Sequence, residues 1–72
     1  SVIGRLILAG LPKDASVFVD GEEHLAGEVI TVPGGKHDVR IDVDGNTVAH
    51  QALETGAKDQ TWELQGAALI RR

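Results

Sequence analysis

His37-Asp38-Val39-Arg40-Ile41-Asp42-Val43-Asp44-Gly45-Asn46-Thr47-Val48 is the stretch on which the reading of this 72-residue chain turns. Side chains of a strand alternate between its faces, so Val39, Ile41 and Val43 share one side while Asp38, Arg40 and Asp42 share the other. A helix would need apolar residues recurring three and four apart over several turns, and in this run only Val39 and Val43 stand at such a spacing. Asp44-Gly45 is a favoured pair for a two-residue type I′ turn, because both central positions need positive φ. With that turn the strand returns on itself in a set register: Val43 opposes Asn46, Ile41 opposes Val48, Val39 opposes His50 and His37 opposes Ala52. This register predicts that His37 and His50 lie with the valines on one face of neighbouring strands.

The same period of two recurs outward from this hairpin. Ser16-Val17-Phe18-Val19-Asp20 repeats the alternation, and Leu6 and Leu8 share a face within Gly4 to Leu8. Val29 to Val32, Thr47 to Leu53 and Gln60 to Leu64 bring the expected strands to about six, at the spacing of a small sandwich. Helical periodicity is sustained nowhere in the chain. Pro33-Gly34-Gly35 ends one strand and begins the next, which reads as a hairpin connection, and Thr55-Gly56-Ala57-Lys58-Asp59 reads as a further connection. No repeat, linker or low-complexity segment interrupts a single domain, with its core over residues 4–64 and a tail over 65–72. A chain that starts at Ser1 and ends in Ile70-Arg71-Arg72 has the look of a piece excised from a larger protein.

Composition narrows the function classes. The chain contains no cysteine, so neither a disulfide nor a thiolate metal site is available and the core must be aliphatic. Seven Lys and Arg against eleven Asp and Glu give a formal charge of -4, the wrong sign for a nucleic-acid surface. No apolar run is long enough for a membrane span, and the N-terminus lacks the order of a signal peptide.

Motifs with chemistry fail on detail. Asp42, Asp44 and Asn46 imitate the first ligands of an EF-hand loop, but Thr47 and Leu53 stand where that loop needs glycine and a bidentate glutamate. His24, His37 and His50 are too far apart for a short zinc-ligand spacing, and no metal or cofactor is expected. Pro33-Gly34-Gly35-Lys36-His37 lacks the upstream glycine and the following Ser or Thr of a phosphate loop. Ser1 and Ser16 sit in no nucleophile elbow, and no two of the carboxylates are marked as an acid and a base, so catalytic residues are expected to be absent. Trp62 shares a face with Leu64 and is expected to fill the centre of the core. Phe18 projects opposite Val17 and Val19. It is either an outward contact residue or, if Leu69 and Ile70 fold back over it, part of a second small core.

With strands and turns placed, one further comparison becomes available. Leu11-Pro12-Lys13-Asp14-Ala15-Ser16-Val17-Phe18-Val19-Asp20-Gly21, then Gly27, then Val32-Pro33-Gly34-Gly35-Lys36-His37-Asp38-Val39-Arg40-Ile41 and Gly45, resembles the PEGA domain family over Gly4 to Leu64. Pro12-Lys13-Asp14-Ala15 keeps only the outer residues of the family's tetrapeptide, and Asn46 stands where an aromatic is usual. The resemblance implies an all-β, small antiparallel β-sandwich of six or seven strands, PEGA- or immunoglobulin-like. It further implies a place outside the cytoplasm, periplasmic or at the cell surface, in bacterial and archaeal envelope proteins that include membrane-bound serine/threonine kinases. The family has no catalytic residues to carry over. The expected function is therefore a non-catalytic module for contact with protein or a cell-envelope component, or a spacer. A glycan-binding module is the alternative, disfavoured by the scarcity of aromatic platforms.

Overall fold

The computed structural model describes residues 2–72. Eight strands follow one another: β1 (Ile3–Ala9), β2 (Ser16–Val19), β3 (Glu22–Leu25), β4 (Ile30–Pro33), β5 (Gly35–Val43), β6 (Asn46–Thr55), β7 (Gln60–Gln65) and β8 (Ala68–Arg71). They form two four-stranded sheets, β4-β1-β7-β8 and β3-β2-β5-β6, whose apolar faces enclose one core. The fold is all-β. Among the described residues no helix is long and apolar enough to cross a membrane.

Two strands exceed the expected six. Glu22-Glu23-His24-Leu25 pairs with β2 across a two-residue turn at Asp20-Gly21, whose φ angles of 52° and 87° repeat the 53° and 79° of Asp44-Gly45. The other, β8, replaces the expected tail over 65–72: it pairs antiparallel with β7 and sends Leu69, 2% exposed, into the core. The sandwich is not wholly antiparallel either. β1 and β7 run parallel, with Leu8 beside Trp62.

The central hairpin keeps its turn and changes its register. Val43 pairs with Asn46 and Asp42 with Thr47, but a bulge then shifts the ladder so that Ile41 pairs with Ala49, Val39 with Gln51 and His37 with Leu53. One extra residue turns both Val48 and Ala49 toward the core and moves every later residue of β6 to the opposite face from that expected. His50 consequently lies on the outer surface, opposite Arg40, while His37 faces inward at 7% exposure. The expected sharing of one face by these two histidines is corrected on that ground.

Pro33-Gly34-Gly35 is not a hairpin connection, because β4 and β5 belong to different sheets. The chain crosses from one layer to the other there, with Gly35 at φ 131° and the Gly34 amide donating to the Val2 carbonyl at 2.8 Å. A side chain at Gly35 would resist that angle.

The centre of the core is aliphatic. Leu6, Val17, Val39, Ile41, Leu53 and Leu69 are its largest fully buried side chains, each contributing about 1.5–3 kcal/mol on leaving water. Trp62 is not at that centre. It packs against the cluster while half-buried, its indole Nε1 donating to Gln60 Oε1 at 3.0 Å, and a ring with a polar tip is accommodated at the rim where the tip finds a partner.

The two long sides of the sandwich differ. On one, Gln51 of β6 reaches the backbone of β8: its amide donates to the Leu69 carbonyl at 2.8 Å and its carbonyl accepts from the Leu69 amide at 3.0 Å. On the other, β3 and β4 are the free edges of their sheets, and a hollow of about 290 Å³ lies between them.

Candidate functional site

Pairing of β2 with both β3 and β5 lines up Glu23, Phe18, Arg40 and His50 as one row across the outer face of their sheet. Val17 and Val19 are buried on the inner face, so alternation turns Phe18 outward. Its ring is half-buried, and the cover comes from Arg40, whose Cζ lies 4.3 Å from the ring centroid. A guanidinium over an aromatic ring contributes about 0.5–1 kcal/mol at an exposed site. Arg40 Nε also donates to Asp42 Oδ1 at 3.2 Å, and Thr47 Oγ1 donates to the same oxygen at 2.8 Å. Leu69 and Ile70 take no part here, since β8 lies in the other sheet, with Leu69 in the main core and Ile70 45% exposed.

Beside this row, Leu25 pairs with Ser16 and is 71% exposed on the same outer face. Asp14, Ser16, Phe18, Asp42, Asp44 and Gly45 line a shallow depression next to it. Arg40 and Leu25 were not marked by the sequence pattern. Arg40 alternates on the polar side of β5 like any solvated residue, and only the pairing of β2 with β5 puts it on Phe18. Leu25 ends the charged segment Glu22-Glu23-His24-Leu25, which shows no alternation of its own.

A second cluster closes the Pro33 corner at the end of the hollow between β3 and β4. Asp20 occupies the first turn position of its hairpin, which aims its carboxylate back at β5. Oδ1 accepts the Asp38 amide at 2.9 Å and Oδ2 accepts His37 Nδ1 at 2.6 Å. On its other side, His37 Nε2 donates to the Pro33 carbonyl at 2.6 Å, and Thr55 Oγ1 donates to that carbonyl at 3.1 Å. The bond to Asp20 first, and the bond to Pro33 second, raise the pKa of His37 above its ordinary value. The bond from His37 and that from the Asp38 amide lower the pKa of Asp20.

These two shifts carry opposite signs in pH. A raised histidine stabilises the fold fully below its ordinary value of about 6.5, and that contribution is lost as pH rises through the folded value. A lowered aspartate stabilises fully above about 3.9, and its contribution is lost as pH falls through the folded value. The pair is thus at full strength between those limits.

Each of the three histidines has a carboxylate partner of its own. His24 Nδ1 lies 2.6 Å from Glu28 Oε2, with Glu22 at 3.3 Å from Nε2, and His50 Nε2 donates to Asp38 at 2.8 Å. The bond from His24, joined by the Leu25 amide, lowers the pKa of Glu28. Among the described residues no three His, Asp or Glu side chains converge as a metal ion would require. Asp20 is held as an anion by two donors, which suits an anchor and opposes uptake of a proton at neutral pH. Comparison with family models, with curated proteins and with solved structures yields no match.

Proposed function

We propose that the chain is a non-catalytic interaction or spacer module of PEGA-like fold, acting outside the cytoplasm and making its contact through the outer face around Phe18. The observation that carries this reading is the row Glu23, Phe18, Arg40 and His50, in which an aromatic ring and a guanidinium, both half-buried, stand on a sheet face that no other strand among the described residues covers. Aromatic and arginine side chains are the residues most enriched at the energetic centres of protein interfaces. The neighbouring Leu25, exposed beside Ser16, extends the apolar part of the face. A protein or envelope partner suits this face better than a glycan, because a sugar ring would need the aromatic face that Arg40 occupies. The resemblance to PEGA domains supports the extracytoplasmic placement, and a membrane-bound serine/threonine kinase is one parent that would use such a module.

Photo-crosslinking tests the reading. A benzoylphenylalanine at position 18, within the full-length parent protein in the cells that make it, is expected to give a saturable crosslink in the envelope fraction. Excess unlabelled domain should compete it away, and the Arg40→Glu domain should compete poorly. The same probe at Thr61, on β7 in the other sheet, should give none. Equal crosslinking from the two positions, or none from position 18, overturns the assignment of the face.

A further inference from the structure

The sheets of this sandwich are tied by few polar bonds. Gln51 joins them on the β6–β8 side, and on the opposite side His37 and Thr55, both from the β3-β2-β5-β6 sheet, meet at the Pro33 carbonyl of β4. The geometry of His37 is demanding. Both ring nitrogens lie 2.6 Å from oxygens that can only accept, the Asp20 carboxylate and the Pro33 carbonyl, so the ring must carry a proton on each. A neutral imidazole donates once, and would leave a lone pair facing one of the two oxygens at that distance. The ring is 7% exposed, so water cannot readily replace a lost partner.

We propose that His37 is a doubly protonated pin between the two sheets, and that loss of one proton frees β4 along the open side of the sandwich. The bond that yields is the one to Pro33. Asp20 is the stronger acceptor because it is charged, and the Pro33 carbonyl keeps Thr55 as a donor. With the pin gone, β4 is held by its pairing to β1 and by its apolar contacts, and the hollow between β3 and β4 widens. The charged and titratable groups around the ring agree with this sense of response. Asp20 faces it from the β2–β3 turn, Glu22 and His24 share the hollow from β3, and Glu54 on β6 favours the cation through its charge. β4 presents only the Pro33 carbonyl, and the neighbours on its own strand, Lys36 and Asp38, alternate to the outer face.

Nitrogen-detected NMR of the domain across a pH series tests the pin, with His37→Gln and Asp20→Asn as companions. At neutral pH both His37 ring nitrogens are expected to carry protons. As pH rises, one titration should appear together in the ring, in the Gly34 amide and in β4. Hydrogen-exchange protection at Ile30 and Val32, whose amides face β1, should be lost relative to Ile41, read as a ratio so that the intrinsic pH dependence cancels. In His37→Gln that ratio should no longer depend on pH. In Asp20→Asn the loss should move to lower pH, since the neutral amide holds the cation less well. A singly protonated ring at neutral pH overturns the proposal. So does a titration that stops at the ring and Asp20, or a pH-dependent ratio that survives in His37→Gln.

Discussion

At the scale of single residues, the least replaceable position has no side chain. A Cβ on Gly4 would sit 2.1 Å from the Gly56 carbonyl oxygen and 3.1 Å from that of Lys58, and both obstacles are backbone. Gly4→Ala is therefore expected to cost about 3 kcal/mol or more, the upper range for overpacking, measurable by urea denaturation. A substitution at Gly45, which meets nothing within 4 Å, carries only the strain of its positive φ. Phe18 and Val19 make a sharper comparison, since they are neighbours on opposite faces. Val19→Ala should cost about 2 kcal/mol through lost burial and a residual cavity. Phe18→Ala should cost about 1 kcal/mol or less, chiefly the contact with Arg40, because the ring contributes nothing to the main core. Equal costs in denaturation would make the ring a structural element and remove it as a contact residue.

At the scale of elements, Gln51 behaves as a fragment of strand. Its side-chain amide meets the Leu69 amide and carbonyl as a backbone neighbour would, and it covers the unpaired edge of β8. Gln51→Ala is expected to cost about 1–3 kcal/mol by leaving two polar groups without partners. The Leu69 amide should lose hydrogen-exchange protection before that of Leu53. The strands that alternate over at least four residues, β1, β2, β4, β5, β6 and β7, were legible in the sequence because burial of one face imposes the period. β3 was not. Only His24 of its four residues is even half-buried, so no apolar alternation exists to be read. β8 has a single buried residue, Leu69, and a strand that short is identified only by the neighbour it pairs with. The bulge in β6 escaped for a different reason: Val48 and Ala49 are both apolar, and the pattern fits either of two registers until the core on the far side is known. The outer site was half visible, since alternation turns Phe18 outward while its meeting with Arg40 depends on which strands become neighbours. The anchoring role of Asp20 depends on a turn that was not recognised as one.

At the scale of the whole molecule, stability rests on one aliphatic core without covalent support. A domain of this size has about 4–11 kcal/mol in total at the usual 0.05–0.15 kcal/mol per residue. Leu53→Ala, at a site with no exposure, is expected to remove about 2–5 kcal/mol. The midpoint of thermal unfolding should fall by about 10 °C or more. A fall of only a degree or two would mean that the site collapses around the deletion. The parallel pairing of β1 with β7 has a consequence in time. β1 ends at Ala9 and β7 begins at Gln60, so the segment between them contains β4 and the entire other sheet. No tight turn can join parallel neighbours, and closing so long a loop has an entropic cost that only the finished sheet offsets. As the chain leaves the ribosome, β2, β3, β5 and β6 have every partner of their own sheet at hand, whereas Leu6 and Leu8 must wait with one edge of β1 open until the hairpin of β7 and β8 emerges. Of these eight strands, the first to be synthesised is among the last to be seated.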